Sequence, residues 1–164
     1  MIKYVSYAVT FAEVPDEVCL TIQISNCPHR CIGCHSAYLQ EDVGRDLEED
    51  LPDLLDKYKG RVTCVCFMGD GNDYFAYNRL LFIAKLKGFK TAIYSGYDWA
   101  DCEFRMFYNL DYLKTGPYIQ SLGGLDHPGT NQRMYRCETA DIDPVKLKRP
   151  VWDDITYKFW KEKT

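Results

Sequence analysis

Val18-Cys19-Leu20-Thr21-Ile22-Gln23-Ile24-Ser25-Asn26-Cys27-Pro28-His29-Arg30-Cys31-Ile32-Gly33-Cys34-His35 is the stretch whose reading decides the fold. Its first seven residues are rich in β-branched side chains and predict a strand, which Ser25-Asn26 end just before three thiols. The i, i+4, i+7 spacing of Cys27, Cys31 and Cys34 could fall on one helix face, but Pro28 and Gly33 argue for a wrapped loop. A loop at the carboxyl end of a strand is where α/β sheets bind ligands. Three thiols in eight positions make a ligand set. A site closed by four protein ligands is structural, whereas three leave a metal position open for chemistry.

Downstream, Asp46 and Glu49 have capping-box spacing, and Leu47, Leu51, Leu54, Leu55 and Tyr58 form an apolar helical stripe that ends near Gly60, with Pro52 expected to delay or kink its start. Eight acidic residues between Glu41 and Asp56, against Arg45 alone, read as a solvated face. Val62 to Met68 is nearly all apolar, as a parallel strand covered on both faces should be, and ends in Gly69-Asp70-Gly71-Asn72. Helical spacing returns with Tyr77, Leu80, Leu81 and Ala84, with Asp73 as N-cap and Gly88 as stop. Thr91 to Tyr94 predicts a third strand running into Ser95-Gly96, Asp98 to Tyr108 a short helix, and Asp111 to Lys114 a fourth strand. Strands alternating with helices imply right-handed βαβ units and a parallel sheet.

After Gly116-Pro117 the pattern weakens, and Gly123-Gly124 and His127-Pro128-Gly129 predict irregular chain. Residues 137–164 are expected to form a C-terminal extension of one domain spanning 1–164. The part from Asp141 carries two prolines, Trp152, Trp160 and a basic balance from Lys146 onward; its amphipathic piece Ile155 to Trp160 is expected to pack on its own domain.

The chain of 164 residues is long enough for one sizeable core. Its 46% hydrophobic and 27% charged residues suit a globular protein, and a net charge of −4 gives no general attraction to nucleic acid or membrane. No run approaches the roughly 18 apolar residues of a membrane span. Met1 to Pro15 has no sustained apolar segment, so a cytoplasmic setting with reduced or metal-bound thiols is expected.

Zinc could take Cys27, Cys31 and Cys34 with His29 or His35, although such sites usually pair two knuckles and only one cluster is present. Cys64 and Cys66 lie two apart on a strand, share one face and read as core, as do Cys19, Cys102 and Cys137. The other reading is a [4Fe–4S] cluster held through three irons, its fourth iron free for an outside ligand.

C-x₃-C-x₂-C is the spacing of the radical S-adenosylmethionine (SAM) enzymes. Val18 to Arg136 resembles the anaerobic ribonucleoside-triphosphate reductase activating proteins, small radical SAM activases of a glycyl radical enzyme. Three matches carry the resemblance: Ile24-Ser25-Asn26 leading into the cysteines with Gly33 before the third; Tyr94-Ser95-Gly96-Tyr97-Asp98-Trp99; and Gly116-Pro117-Tyr118 through Asn131-Gln132-Arg133-Met134. The second and third are the more specific. The segment to Glu17 and the tail after Cys137 lie outside the match. One departure stands out: where radical SAM proteins commonly have Gly-Gly-Glu to hold the SAM amino group, this chain has Met68-Gly69-Asp70, a carboxylate one methylene shorter.

The resemblance implies a partial (β/α) barrel of radical SAM type, open enough to admit a peptide loop. It implies Cys27, Cys31 and Cys34 as cluster ligands, and Gly69, Asp70, Tyr94, Ser95 and Gly96 as the SAM pocket. The reduced cluster of such an enzyme passes an electron to SAM, which cleaves to methionine and a 5′-deoxyadenosyl radical. That radical takes hydrogen from a backbone glycine of the reductase large subunit. A low-potential donor such as flavodoxin or ferredoxin would supply the electron. His35 could tune the cluster through a hydrogen bond but reads more simply as a rim residue. Asn131, Gln132 and Arg133 either fix the C-terminal segment over the sheet or contact the reductase. Two alternatives remain open: a radical SAM enzyme acting on another protein or a small molecule, and a non-catalytic zinc-stabilised interaction module.

Overall fold

The computed structural model describes residues 1–105, 109–138 and 150–160. In chain order they form β1 (Lys3–Thr10), β2 (Cys19–Ile24), β3 (Arg45–Asp46), α1 (Leu47–Tyr58), β4 (Cys64–Met68), α2 (Tyr74–Leu86), β5 (Lys90–Tyr94), α3 (Trp99–Arg105), β6 (Tyr112–Thr115), β7 (Arg133–Cys137) and β8 (Trp152–Asp154). All eight strands belong to one open sheet in the order β3-β1-β2-β4-β5-β6-β7-β8. β2, β4, β5 and β6 are parallel, as the alternation of strands and helices predicts.

The flanks differ from that expectation. β1 and β3 add antiparallel strands on one side, and β7 and β8 add two on the other, so the sheet is mixed. Arg133–Cys137 is a ladder strand that runs up to the expected irregular extension, and within that extension, 137–164, Trp152–Asp154 is a ladder strand too and Ile155 is buried, which corrects its reading as irregular there. A 3₁₀ turn, Thr156–Phe159, then lays Phe159 against the core, so this piece packs on its own domain. Residues 139–149 and 161–164, with the basic stretch from Lys146, lie outside the described residues, as does the expected continuation of the helix through 106–108.

The alternation of side chains across the pleat builds two apolar layers. Val65 and Phe67 of β4 face α1 and α2, where Leu51, Leu55, Leu80 and Leu81 close the larger layer. Cys64 and Cys66 face the other way, into a smaller layer with Cys19, Ala92, Tyr112 and Met134. Cys64 and Cys66 are therefore core, as expected, and burial is a leading reason that both thiols are pushed well up; for Cys64 the contact with Cys19 comes first.

Both long helices begin at the predicted caps: Asp46 accepts from Glu48 N at 2.9 Å and Asp73 from Ala76 N at 3.0 Å. Gly60 and Gly88, at φ +78° and +88°, follow their ends. Pro52 lies inside α1 without delaying its start. The acidic run is a solvent-facing surface laced with ion pairs, among them Lys3–Asp42, Arg79–Glu48 and Lys87–Asp56. Among the described residues no helix is long and apolar enough to cross a membrane.

Candidate functional site

The thiol loop leaves β2 and turns at Asn26, whose φ is +56°. Asn26 N donates to Glu41 O and Cys27 N to Leu39 O, each at 3.0 Å, so two backbone bonds close the loop at its base. Within it, Arg30 at φ +47° and Gly33 at φ +76° curl the chain, and Cys34 N donates to Cys31 O at 3.3 Å. It is a wrapped loop and not a helix, as Pro28 and Gly33 predict. Ser36 N donates to Cys34 Sγ at 3.4 Å, a backbone bond suited to a thiolate. All three sulfur-bearing residues line one cleft at the carboxyl ends of the parallel strands, together with Asp70, Gly96 and Lys114. Burial pushes the Cys27 thiol up, and the nearby Asp70, Cys31 and Cys34 add to the effect.

Asp70 is the central polar group of this cleft and only 5% exposed. Its Oδ2 accepts from Gly96 N at 2.9 Å and lies 2.5 Å from His29 Nε2. A carboxylate oxygen only accepts, so the imidazole is the donor. The His29 ring is set edge-on against Tyr97, with centroids 4.3 Å apart. Asp70 Oδ1 is buried and, among the described residues, has no hydrogen-bond partner. Buried carboxylate oxygens are rarely left so.

The other predicted pocket residues divide by role. Gly69 sits at φ +123°, and a Cβ there would come 3.1 Å from Ile24 O; its carbonyl accepts from Tyr77 Oη at 2.6 Å. The neighbouring strand already requires glycine at this position. Tyr94 lines the cleft while its hydroxyl donates to Glu13 O. Ser95 Oγ accepts from Tyr97 N at 3.0 Å, the local turn that starts toward α3. Gly96 gives its N–H to Asp70 and its open α-carbon to the His29 ring.

His35 is exposed and tilted against Tyr118 at 5.4 Å, a rim position. Asn131 Nδ2 donates to Pro117 O at 3.0 Å and Gln132 Nε2 to Gly116 O at 3.4 Å, so these two hold the segment after β6 over the sheet. Arg133 stands 3.9 Å from Asp154.

Two residues of the cleft were not singled out for it by the sequence reading. Lys114 is buried and donates from Nζ to Ser95 O at 3.1 Å and Gly116 O at 2.6 Å. Burial pulls its pKa down to about 8, against the opposing pull of Asp70 and Cys31. Its signal is a lysine directly after Tyr112-Leu113 in a short strand that is buried throughout. The sequence offers His29 only as a zinc ligand, since its pairing with Asp70 spans 41 residues.

Among the described residues no three His, Cys, Asp or Glu side chains are drawn together around one ion position. Thiolates on a cubane bind three separate irons and stand further apart than ligands of a single ion. The donor set is compatible in kind with the group that the resemblance implies: three thiols on one loop, and a carboxylate lining the same cleft. The fold is α/β, with a thiol-lined cleft at the carboxyl ends of its parallel strands. No protein-family model matches the chain, and neither the curated proteins nor the solved structures contain a match.

Proposed function

We propose that this chain is a radical SAM activase, its open sheet a partial (β/α) barrel, that generates a glycyl radical on anaerobic ribonucleoside-triphosphate reductase. One observation carries the reading: Cys27, Cys31 and Cys34 line the same cleft as Asp70, whose buried Oδ1 has no donor among the described residues. A three-thiol cluster site and an ammonium site side by side are what SAM bound to an open iron requires. The sequence matches at residues 94–99 and 116–134 select the activase among radical SAM proteins.

Cys27, Cys31 and Cys34 would hold the cluster as thiolates, and Asp70 Oδ1 would accept from the SAM amino group. The chemistry supplied there is reductive cleavage of SAM and removal of hydrogen from a backbone glycine of the partner. This chain's own part is binding and orientation. Ser36 N steadies the Cys34 sulfur, Lys114 brings a buried cationic donor to the cleft, and the smaller apolar layer walls it from below. The zinc module needs a fourth protein ligand; His29 is engaged with Asp70 and His35 lies on Tyr118.

The test is electron paramagnetic resonance on anaerobically reconstituted, reduced protein with and without SAM, beside iron and sulfide analysis. The expected result is a [4Fe–4S] signal that changes shape with SAM and is lost in Cys31→Ala. Incubation with the reductase, SAM and a flavodoxin or ferredoxin system then yields a glycyl radical doublet. Zinc without sulfide would overturn the reading. A SAM-responsive cluster with no reductase radical would redirect it to another substrate.

A further inference from the structure

We propose that His29 is a positioning residue that ties the thiol loop to the ligand-holding carboxylate, locking Asp70 Oδ2 so that Oδ1 alone is offered to the SAM amino group. The inference rests on the activase reading for the identity of the ligand, and on geometry for the rest.

Asp70 carries a side chain one methylene shorter than the glutamate common at this place, so its reach is limited and its orientation matters more. Free to rotate about its last torsion, a carboxylate presents either oxygen. Here Oδ2 takes two donors from two different elements: Gly96 N at 2.9 Å, from the turn after β5, and His29 Nε2 at 2.5 Å, from the thiol loop. Both donors act on the same oxygen, and Oδ1 is left buried without one. The imidazole is itself fixed. Tyr97 meets it edge-on at 4.3 Å, and the ring fills the space above Gly96, where a Cβ would lie 2.6 Å from His29 Cγ and 2.9 Å from Nε2. Gly96 has no unusual backbone angle, so its lack of a side chain serves the seat of His29.

His29 stands between two cluster ligands in the chain. Anything that orders the loop therefore also orders the donor that aims Asp70. Cluster assembly and SAM binding are linked through a side chain that touches neither iron nor the reacting bond.

The experiment measures SAM affinity by anaerobic equilibrium dialysis on reconstituted protein, with iron and sulfide content determined for every sample. His29→Leu keeps bulk and removes the donor; His29→Gln places a donor near the Nε2 position. The expected result is roughly tenfold weaker SAM binding in His29→Leu, the cost of a carboxylate no longer held in its receiving orientation, with substantial recovery in His29→Gln. Iron content and the resonance of the reduced cluster without SAM stay as in the wild type, which a merely structural defect would not allow. Gly96→Ala, which evicts the ring sterically, weakens binding in the wild type but adds little in the His29→Leu background.

Unchanged or tighter binding in His29→Leu overturns the inference, because the imidazole would then be idle or a competitor for Asp70. Equal loss in Leu and Gln variants also overturns it, as does a Gly96→Ala penalty that is additive. A wild-type protein that holds a [4Fe–4S] cluster but binds no SAM fails at the earlier step, and the activase reading falls with this one.

Discussion

The Tyr112 hydroxyl donates to Glu17 Oε1 at 2.8 Å, joining residues 95 apart in sequence at the amino end of the sheet. Thr63 Oγ1 and Lys90 Nζ reach the same carboxylate, each at 2.5 Å, so one buried acid gathers β5, β6 and the start of β4 under the N-terminal segment. Burial alone would raise the Glu17 carboxyl, but the donors from Lys90, Thr63 and Tyr112 outweigh it and hold it below the ordinary range. A carboxyl depressed in the fold contributes stability above its unfolded pKa and loses it as pH falls through the folded value.

Glu17→Gln should therefore destabilise the protein by about 2 kcal/mol at pH 7, where hydrogen bonds to a charged group are lost. The gap to wild type should narrow below about pH 4, as the wild-type carboxyl takes up its proton. Urea unfolding under anaerobic conditions at several pH values measures it; a gap independent of pH would mean that the charge contributes nothing.

Phe67 is fully buried and meets Tyr77 edge-on with centroids 5.6 Å apart, at the centre of the larger apolar layer. Phe67→Ala should cost about 3–5 kcal/mol, the transfer loss plus a cavity between β4 and α2. Denaturant unfolding curves of the two proteins, prepared alike, give the value. A loss below about 1 kcal/mol would show that the layer closes over the gap.

Gly69→Ala should lower stability by about 1–3 kcal/mol, since φ +123° is unsuited to an L side chain and the new Cβ meets Ile24 O at 3.1 Å. Because Gly69 O also receives the Tyr77 hydroxyl, the strain should reach α2. Hydrogen exchange around residue 77 should then rise with the fall in stability. A neutral substitution would contradict the backbone account of this glycine.

Asp70→Asn keeps shape but removes the charge that the orphaned Oδ1 offers. On the proposed activase reading, SAM affinity should fall roughly tenfold to a hundredfold, while iron and sulfide stay unchanged. Dialysis against labelled SAM reads the first and metal analysis the second. Loss of iron in this variant would place Asp70 in cluster retention instead.

Much of the site was legible because its signals are local. Cysteine spacing, Pro28 and Gly33 describe the loop; Asp46, Asp73, Gly60 and Gly88 bound the helices; the apolar run before Gly69 marks a strand covered on both faces. β1 escaped notice because it lies near one edge of the sheet, and of Lys3–Thr10 only Tyr4 is fully buried, so no clean alternation is written there. β7 and β8 escaped for a related reason: each is short and partly exposed, and becomes a strand only by pairing with β6 and then with its neighbour. The His29–Asp70 contact was invisible because it depends on two chain segments that only the sheet brings together.

The two backbone bonds at the base of the thiol loop, from Asn26 and Cys27 to Glu41 and Leu39, have an evolutionary reading. They make the residues between them a cassette hung from a fixed collar. Substitutions, and even changes of length, in the span 28–38 can be sampled without disturbing the strands beneath. The collar's two bonds run between main-chain atoms, although Asn26 at φ +56° and buried Leu39 restrict what can stand there. A new ligand spacing could thus be tried on this scaffold at little cost to folding.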